Sequence, residues 1–203
     1  MDLEKNKIGN ITTEKIGDNI VVKSDTTIFS EELYFSKIYE EGVYKRFIKN
    51  TEKLIRTSKE YTDYIDKLRS NIGALNIDNI LSNITTADVD LEFHHYPFSL
   101  YDIVDTVATH KFVNQEPFNT FSLAKEIMEL HFKNMIGLVP LTITNHELAH
   151  GGNLFISSNQ IFGNYKKFIE DYKIGVSGEI LERIQKMEEL TSNDTPSDFR
   201  GLF

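Results

Sequence analysis

The chain contains no cysteine. Disulfides and thiolate-ligated zinc are therefore excluded, and any transition-metal site has to be built from His, Asp and Glu. No run of eighteen apolar residues occurs, so no membrane-spanning segment is expected. The N-terminal stretch MDLEKNKIGN is polar and lacks the apolar core of a secretory signal. With the missing cysteines, this points to a cytoplasmic location, the host cytoplasm if the chain is phage-encoded. Internal repeats and low-complexity tracts are also missing. Positive charge is in deficit, with a formal net charge of -9, which argues against a protein wrapped in nucleic acid.

What is present fits a globular protein. The 203 residues suffice for one domain with additions or two small domains. Hydrophobic residues make up 40% and charged residues 26%, within the ordinary soluble range. Charge is uneven along the chain. From Val43 to Ile72, eight basic residues face four acidic ones. Lys45, Arg46, Lys49, Lys53, Arg56 and Lys59 are the candidate phosphate-facing set within it, against the plainer reading of a solvated helix face.

The N-terminal 28 residues carry one short strand, NIVVKS, in an otherwise arm-like segment. Ser30 is placed to cap a short helix ending at Gly42. From Val43 to Ile72 neither Pro nor Gly intervenes, and Phe47, Leu54, Tyr61 and Leu68 recur every seven residues. That spacing predicts one long amphipathic helix packed on its own domain. LNIDNILSNI reads as a short helical turn. In ADVDLEFHHYP, Val89, Leu91 and Phe93 alternate with acids, predicting a strand that delivers His94 and His95 at its end. Ser99 with Asp102 has capping-box spacing and opens a helix buried through Leu100, Ile103, Val104 and Val107, with Phe98 and Ile103 as its hydrophobic staple. A second helix covers residues 120–133, with Leu123, Ile127 and Leu130 inward. MIGLVPLTIT predicts a strand leading into a short helix NHELAH, capped by Asn145 or Thr144 and ended by Gly151-Gly152. LFIS reads as a brief strand, Ile161 to Tyr172 and Ser177 to Leu190 as helices, and the final residues as a flexible tail.

Four of the six histidines lie in two tight pairs. His146 and His150 are four apart on the short helix, so both rings project from one face and can share a metal. His94 and His95 are neighbours at a strand end, so one can bind metal while the other addresses a substrate. His110 and His131 lie on or beside amphipathic helices and read as packing or surface residues rather than ligands. Taken alone, His146-Glu-Leu-Ala-His150 fits the HExxH pattern of zinc peptidases, with Glu147 as base and Glu170 or Asp171 as third ligand.

The strand ending EFHHYP, followed by GLVPLTITNHELAHGG, resembles instead the HNH, or ββα-metal, endonucleases, in the colicin-DNase-like form with His-His on the first strand and His-x-x-x-His on the helix. The resemblance covers about a quarter of the chain. It implies that His94, His146 and His150 hold one divalent ion and that His95 is the general base activating water. Three imidazole ligands favour Zn, Ni, Co or Mn over Mg. The middle Asn of that pattern is Gly137 here, with Asn134 out of register.

The expected fold class is thus α+β: an HNH-like ββα-metal core with a two-helix insertion and a long N-terminal helix. Residues 1–30 form the arm, 31–86 the helical region, 87–175 the core with its helical insertion at 99–133, and 176–203 the terminal helix and tail. The expected function is metal-dependent hydrolysis of DNA phosphodiester bonds. The alternatives are a non-catalytic, metal-stapled structural or DNA-binding module of a larger phage assembly, and a zinc peptidase. Expected partners are DNA, further copies of the chain, or a phage or host protein.

Overall fold

The computed structural model describes residues 6–8, 11–16, 19–24, 41–71, 75, 77–81 and 83–193. The expected Ser30 cap, most of the short helix after it and the C-terminal tail lie outside the described residues. An N-terminal antiparallel meander comprises β1 (Asn6–Ile8), β2 (Ile11–Ile16) and β3 (Asn19–Ser24). The expected NIVVKS strand is β3; the two strands before it were unexpected. Pairing of Ile8 with Ile11 and of Ile16 with Asn19 leaves two-residue connections, Gly-Asn and Gly-Asp. Such dipeptides suit tight hairpins because glycine accommodates the required backbone.

The expected long helix is two helices, α1 (Glu41–Thr57) and α2 (Lys59–Asn71). Thr57 and Ser58 turn their hydroxyls back onto the carbonyls of Lys53 and Ile55, at 2.9 and 2.8 Å. The Ser58 hydroxyl also accepts from the Tyr61 N–H at 3.1 Å, opening α2. Side chains that compete for backbone groups in this way interrupt a helix without any Pro or Gly. The sevenfold stripe is internal to the domain: Phe47 and Leu68 are buried, and α1 packs on α3 (Leu100–Val113) and α4 (Thr120–Phe132). Buried Thr51 satisfies its hydroxyl on the Phe47 carbonyl.

Capping chemistry sets both central helices. Ser99 and Asp102 form a reciprocal capping box on α3, and Asn119 and Ser122 form another on α4. The inward residues are those expected: Leu100, Ile103, Val104, Val107, Leu123, Ile127 and Leu130 are all buried, with Phe98 in the same core. Burial of each large aliphatic side chain contributes about 1.5–3 kcal/mol.

β4 (Leu91–His95) pairs antiparallel with β5 (Leu138–Thr142), and α5 (Ile143–His150) follows β5 directly. The molecule is α+β. β4 begins later than expected, because Asp88 closes a turn on Thr85 and leaves Val89 exposed ahead of the strand. Ile77 and Thr85 bridge each other, and the described residues between them form no helix where a helical turn was expected. There the Asp78 carboxylate captures the N–H groups of Ile80 and Leu81. LFIS is not a strand: Ser157 at its end caps a single 3-10 turn, Ser158–Gln160, and β5 is met on that edge by one bridge, Leu138 to Phe162. α6 (Tyr165–Asp171), capped by Asn164, is shorter than expected, and α7 (Gly178–Asn193) closes the described chain. Among the described residues no helix is long and apolar enough to cross a membrane.

Candidate metal centre

Alternate side chains of a strand leave on opposite faces. In β4, Phe93 and His95 face the main core, and Glu92 and His94 face the other way, toward α5. The cap of α5 is Thr142, whose hydroxyl accepts from the Asn145 N–H, and not Asn145 or Thr144 as the sequence implied. Eight residues of helix give two turns, enough to stack His146 and His150 on one face.

His94, His146 and His150 each present a ring nitrogen, and these atoms all lie within 4.8 Å of one another. The ring centroids are 5.1 Å apart for His94–His146, 4.8 Å for His94–His150 and 4.5 Å for His146–His150. The Nε2 atoms of His146 and His150 are 3.1 Å apart. A tetrahedral ion with metal–nitrogen bonds of about 2.0–2.1 Å needs ligand nitrogens about 3.3 Å apart, so the donor set fits a small divalent ion. Among the described residues no other group of three such ligands converges.

Glu92 completes the arrangement from behind. Its carboxylate bonds the Nδ1 of His146. A carboxylate only accepts here, so the proton sits on Nδ1 and the Nε2 lone pair is left for the cluster, the usual carboxylate–histidine–metal relay. Burial, then the neighbouring His146 and His150, push the His94 pKa down to about 4. Burial also lowers that of His150, with help from His146 and Arg56. Both are neutral near pH 7, the protonation state that metal ligation requires.

The three nitrogens open onto a cavity of about 410 Å³ whose walls include Arg56, Tyr96, Asp102 and Arg183. Arg56 donates through Nε and Nη2 to Glu52, at 3.1 and 3.0 Å. Arg183 Nη2 donates to the Pro97 carbonyl at 2.8 Å and to Asp102 at 3.1 Å. Of the six basic residues singled out in the sequence, Arg56 alone lines this cavity. Lys45, Arg46, Lys49 and Lys53 are exposed along α1, and Lys59 opens α2, paired with Asp63 at 2.6 Å.

His95 does not join the cluster. Its ring is turned into the core, only 7% exposed, and its Nε2 lies 3.0 Å from the Nε2 of fully buried His131. The Nδ1 of His131 lies 2.8 Å from the Ile127 carbonyl. A carbonyl can only accept, so His131 is protonated at Nδ1 and accepts at Nε2, and His95 is the donor through its Nε2–H. Tyr61 stacks on His95, and Tyr61 and Tyr64 meet His131 edge-on. His95 borders the cavity, but burial and then His131 push its pKa well below the usual imidazole range. His131, expected as a packing residue, is also the group that fixes the tautomer of His95.

The peptidase set is dispersed. Glu147 is exposed, and Glu170 and Asp171 lie on α6 beside Lys167. The third histidine of the cluster comes from upstream of the HExxH string, not downstream.

Gly137 has a steric reason. A Cβ at this position would overlap the carbonyl oxygen of Tyr96 and press on Ile161, while the Gly137 carbonyl accepts from the Tyr96 N–H at 3.1 Å. No asparagine fits where the chain passes so close to the end of β4. Gly137→Ala is expected to cost about 2–3 kcal/mol through overpacking and to disturb the β4–β5 register beside His94. Urea unfolding measures the loss; a cost under half that size would show that the strand end yields freely.

The sequence reading missed two groups that shape this site. Glu92 had a signal, since it lies two residues before His94 on the same strand face. Asp78 had none. It is fully buried and receives the Thr142 N–H at 2.5 Å and the Asn145 side-chain amide at 3.2 and 3.0 Å. Burial alone would raise its pKa, but these donors with those of Leu81 and Ile80 outweigh it and keep the carboxyl below its usual range.

The profile of the bacteriophage G278-like virion proteins matches residues 2–201. No curated protein and no solved structure matches the chain.

Proposed function

Because the chain belongs to the bacteriophage G278-like virion protein family, we propose that it is a non-catalytic structural module of the virion whose β4–β5–α5 unit is stapled by one divalent metal ion. The observation that carries this reading is the convergence of His94, His146 and His150 from two elements, backed by the Glu92 carboxylate. An ion there ties the end of β4 to α5, two elements that meet over a small contact. Three nitrogen donors select Zn, Ni, Co or Mn before Mg. The partners are then other virion components or further copies of the chain, encountered during assembly in the host cytoplasm.

One observation favours a second reading, the HNH-like DNA endonuclease. A closed structural zinc site has four protein ligands, whereas this one has three and opens on a cavity bordered by Arg56 and Arg183. The order strand, antiparallel strand, helix also matches that resemblance. Against it stands His95, the base the nuclease would need, whose ring is buried in the core and whose pKa is pushed well below the usual imidazole range, first by that burial and then by His131, which leaves it a weak proton acceptor.

A plasmid-nicking assay with Mn or Mg separates the two. The structural reading expects bound metal and no cleavage by the wild type, by His95→Ala or by Glu147→Ala. Cleavage by the wild type that disappears in His95→Ala and persists in Glu147→Ala would establish the nuclease and overturn the structural reading. Loss in Glu147→Ala on a protein substrate would indicate the peptidase.

A further inference from the structure

The metal helix is held in place by a loop more than sixty residues upstream of it. We propose that Asp78, acting with Asn145, is the positioning residue of the metal centre: it locks the start of α5 so that His146 and His150 face His94. This inference rests on the metal reading of the three histidines.

The geometry is specific to α5. One oxygen of Asp78, Oδ2, takes the backbone N–H of Thr142, the cap residue, at 2.5 Å. Both oxygens take the side-chain amide of Asn145, which sits on the first turn of α5 next to His146. The Oδ1 atom also takes the N–H groups of Ile80 and Leu81 at 2.7 Å each, which makes the loop a rigid support. The next residue fastens that loop to the sheet and beyond. Asn79 donates its N–H to the Pro140 carbonyl of β5 at 3.0 Å, and exchanges side-chain and backbone hydrogen bonds with Gln160 at 2.6 and 2.7 Å. The carboxylate thus joins three pieces of chain: its own loop, the β5–α5 junction and the helix that carries two ligands.

The physical need is clear. α5 is only two turns long, and Asn145 is its one buried residue. Apolar packing therefore does little to set its rotation about its own axis, and a rotation of a few tens of degrees would carry His146 and His150 away from His94. Groups that orient ligands without touching the metal typically change affinity by about 10–100-fold when removed.

The test uses the full chain and Co(II) as probe, read by its d–d absorption and by competition with a chelator. The variants are Asp78→Asn, Asn145→Ala and Tyr44→Phe. Tyr44→Phe removes a half-buried hydrogen bond to Asp105 that ties α1 to α3, and controls for general destabilisation. With circular dichroism confirming folded protein, Asp78→Asn and Asn145→Ala are expected to weaken Co(II) binding at least tenfold and to alter the d–d bands. Tyr44→Phe should leave both unchanged. Faster amide hydrogen exchange over residues 142–150 should accompany the loss in the two site variants. Wild-type affinity and spectrum in folded Asp78→Asn overturn the positioning role alone, as does an equal loss in Tyr44→Phe. A wild type that binds no Co(II) or Zn(II) overturns the metal reading and this inference with it. If Asp78→Asn does not fold, the Asn145→Ala comparison with Tyr44→Phe decides.

Discussion

Saturating zinc is expected to raise the thermal midpoint of the protein by about 10 °C, and His146→Ala to abolish the rise. A ligand held a thousandfold above its dissociation constant stabilises the native state by about 4 kcal/mol. For a chain of this size each kcal/mol moves the midpoint by about 2–4 °C. The linkage is favourable because the three nitrogens converge only in the folded chain, where they come from β4 and α5. His146 is a suitable probe because it is half-buried and lies outside the main core, so its removal alters the apo protein little. Differential scanning calorimetry with zinc and with chelator measures the shift. A midpoint indifferent to zinc in the wild type, or an equal shift in His146→Ala, would refute the staple.

Acid is expected to destabilise the apo protein through the buried pair His95 and His131. The pKa of His131 is about 4 in the folded state, owing to burial that the Ile127 carbonyl only partly offsets; unfolded histidine titrates near 6.5. Between these values the unfolded chain binds the extra proton and the folded chain does not. Stability is therefore complete above pH 6.5 and declines as the pH falls toward 4, by about 3 kcal/mol for this group. His95, lowered by burial and by His131, acts in the same direction. Comparison with His131→Phe isolates the effect. At pH 7.5 the variant is less stable, since the His95 Nε2–H loses its acceptor, at a cost of about 1–3 kcal/mol. The gap should narrow, or reverse, by pH 4.5 in urea titrations with chelator present. A gap that stays constant across that range would show that His131 is not held neutral.

Local chemistry made much of this structure legible. Ser99 and Asp102, Leu100 to Val107, and the alternation through Leu91 and Phe93 are short-range signals, and each was realised. The convergence of His94, His146 and His150 was legible because two of them share a helix face and the third ends a strand. What failed depends on distant partners. Alternation says that His94 and His95 point apart, but not which one faces the core; His131, 36 residues from His95 on α4, decides that. The line of Phe47, Leu54, Tyr61 and Leu68 continues past Thr57 and Ser58, and its neighbouring line falters at Thr51 as well as Ser58, so periodicity alone does not mark the end of α1 there. Asp78 looks like any loop aspartate until the start of α5 is folded over it. The Gly-Asn and Gly-Asp pairs at 9–10 and 17–18 are hairpin signals in the sequence, and β1, β2 and β3 pair on either side of them.

The insertion between the two halves of the ligand set has a mechanical side. With an ion in place, His94 and His146 become a cross-link that encloses α3, α4 and β5 in one loop of about 50 residues. At about 3.4 Å per residue, roughly 170 Å of contour length is then withheld from any pull applied at the chain ends. A chain so tied is expected to yield first at its termini, and to release its helical interior only after the ion has left.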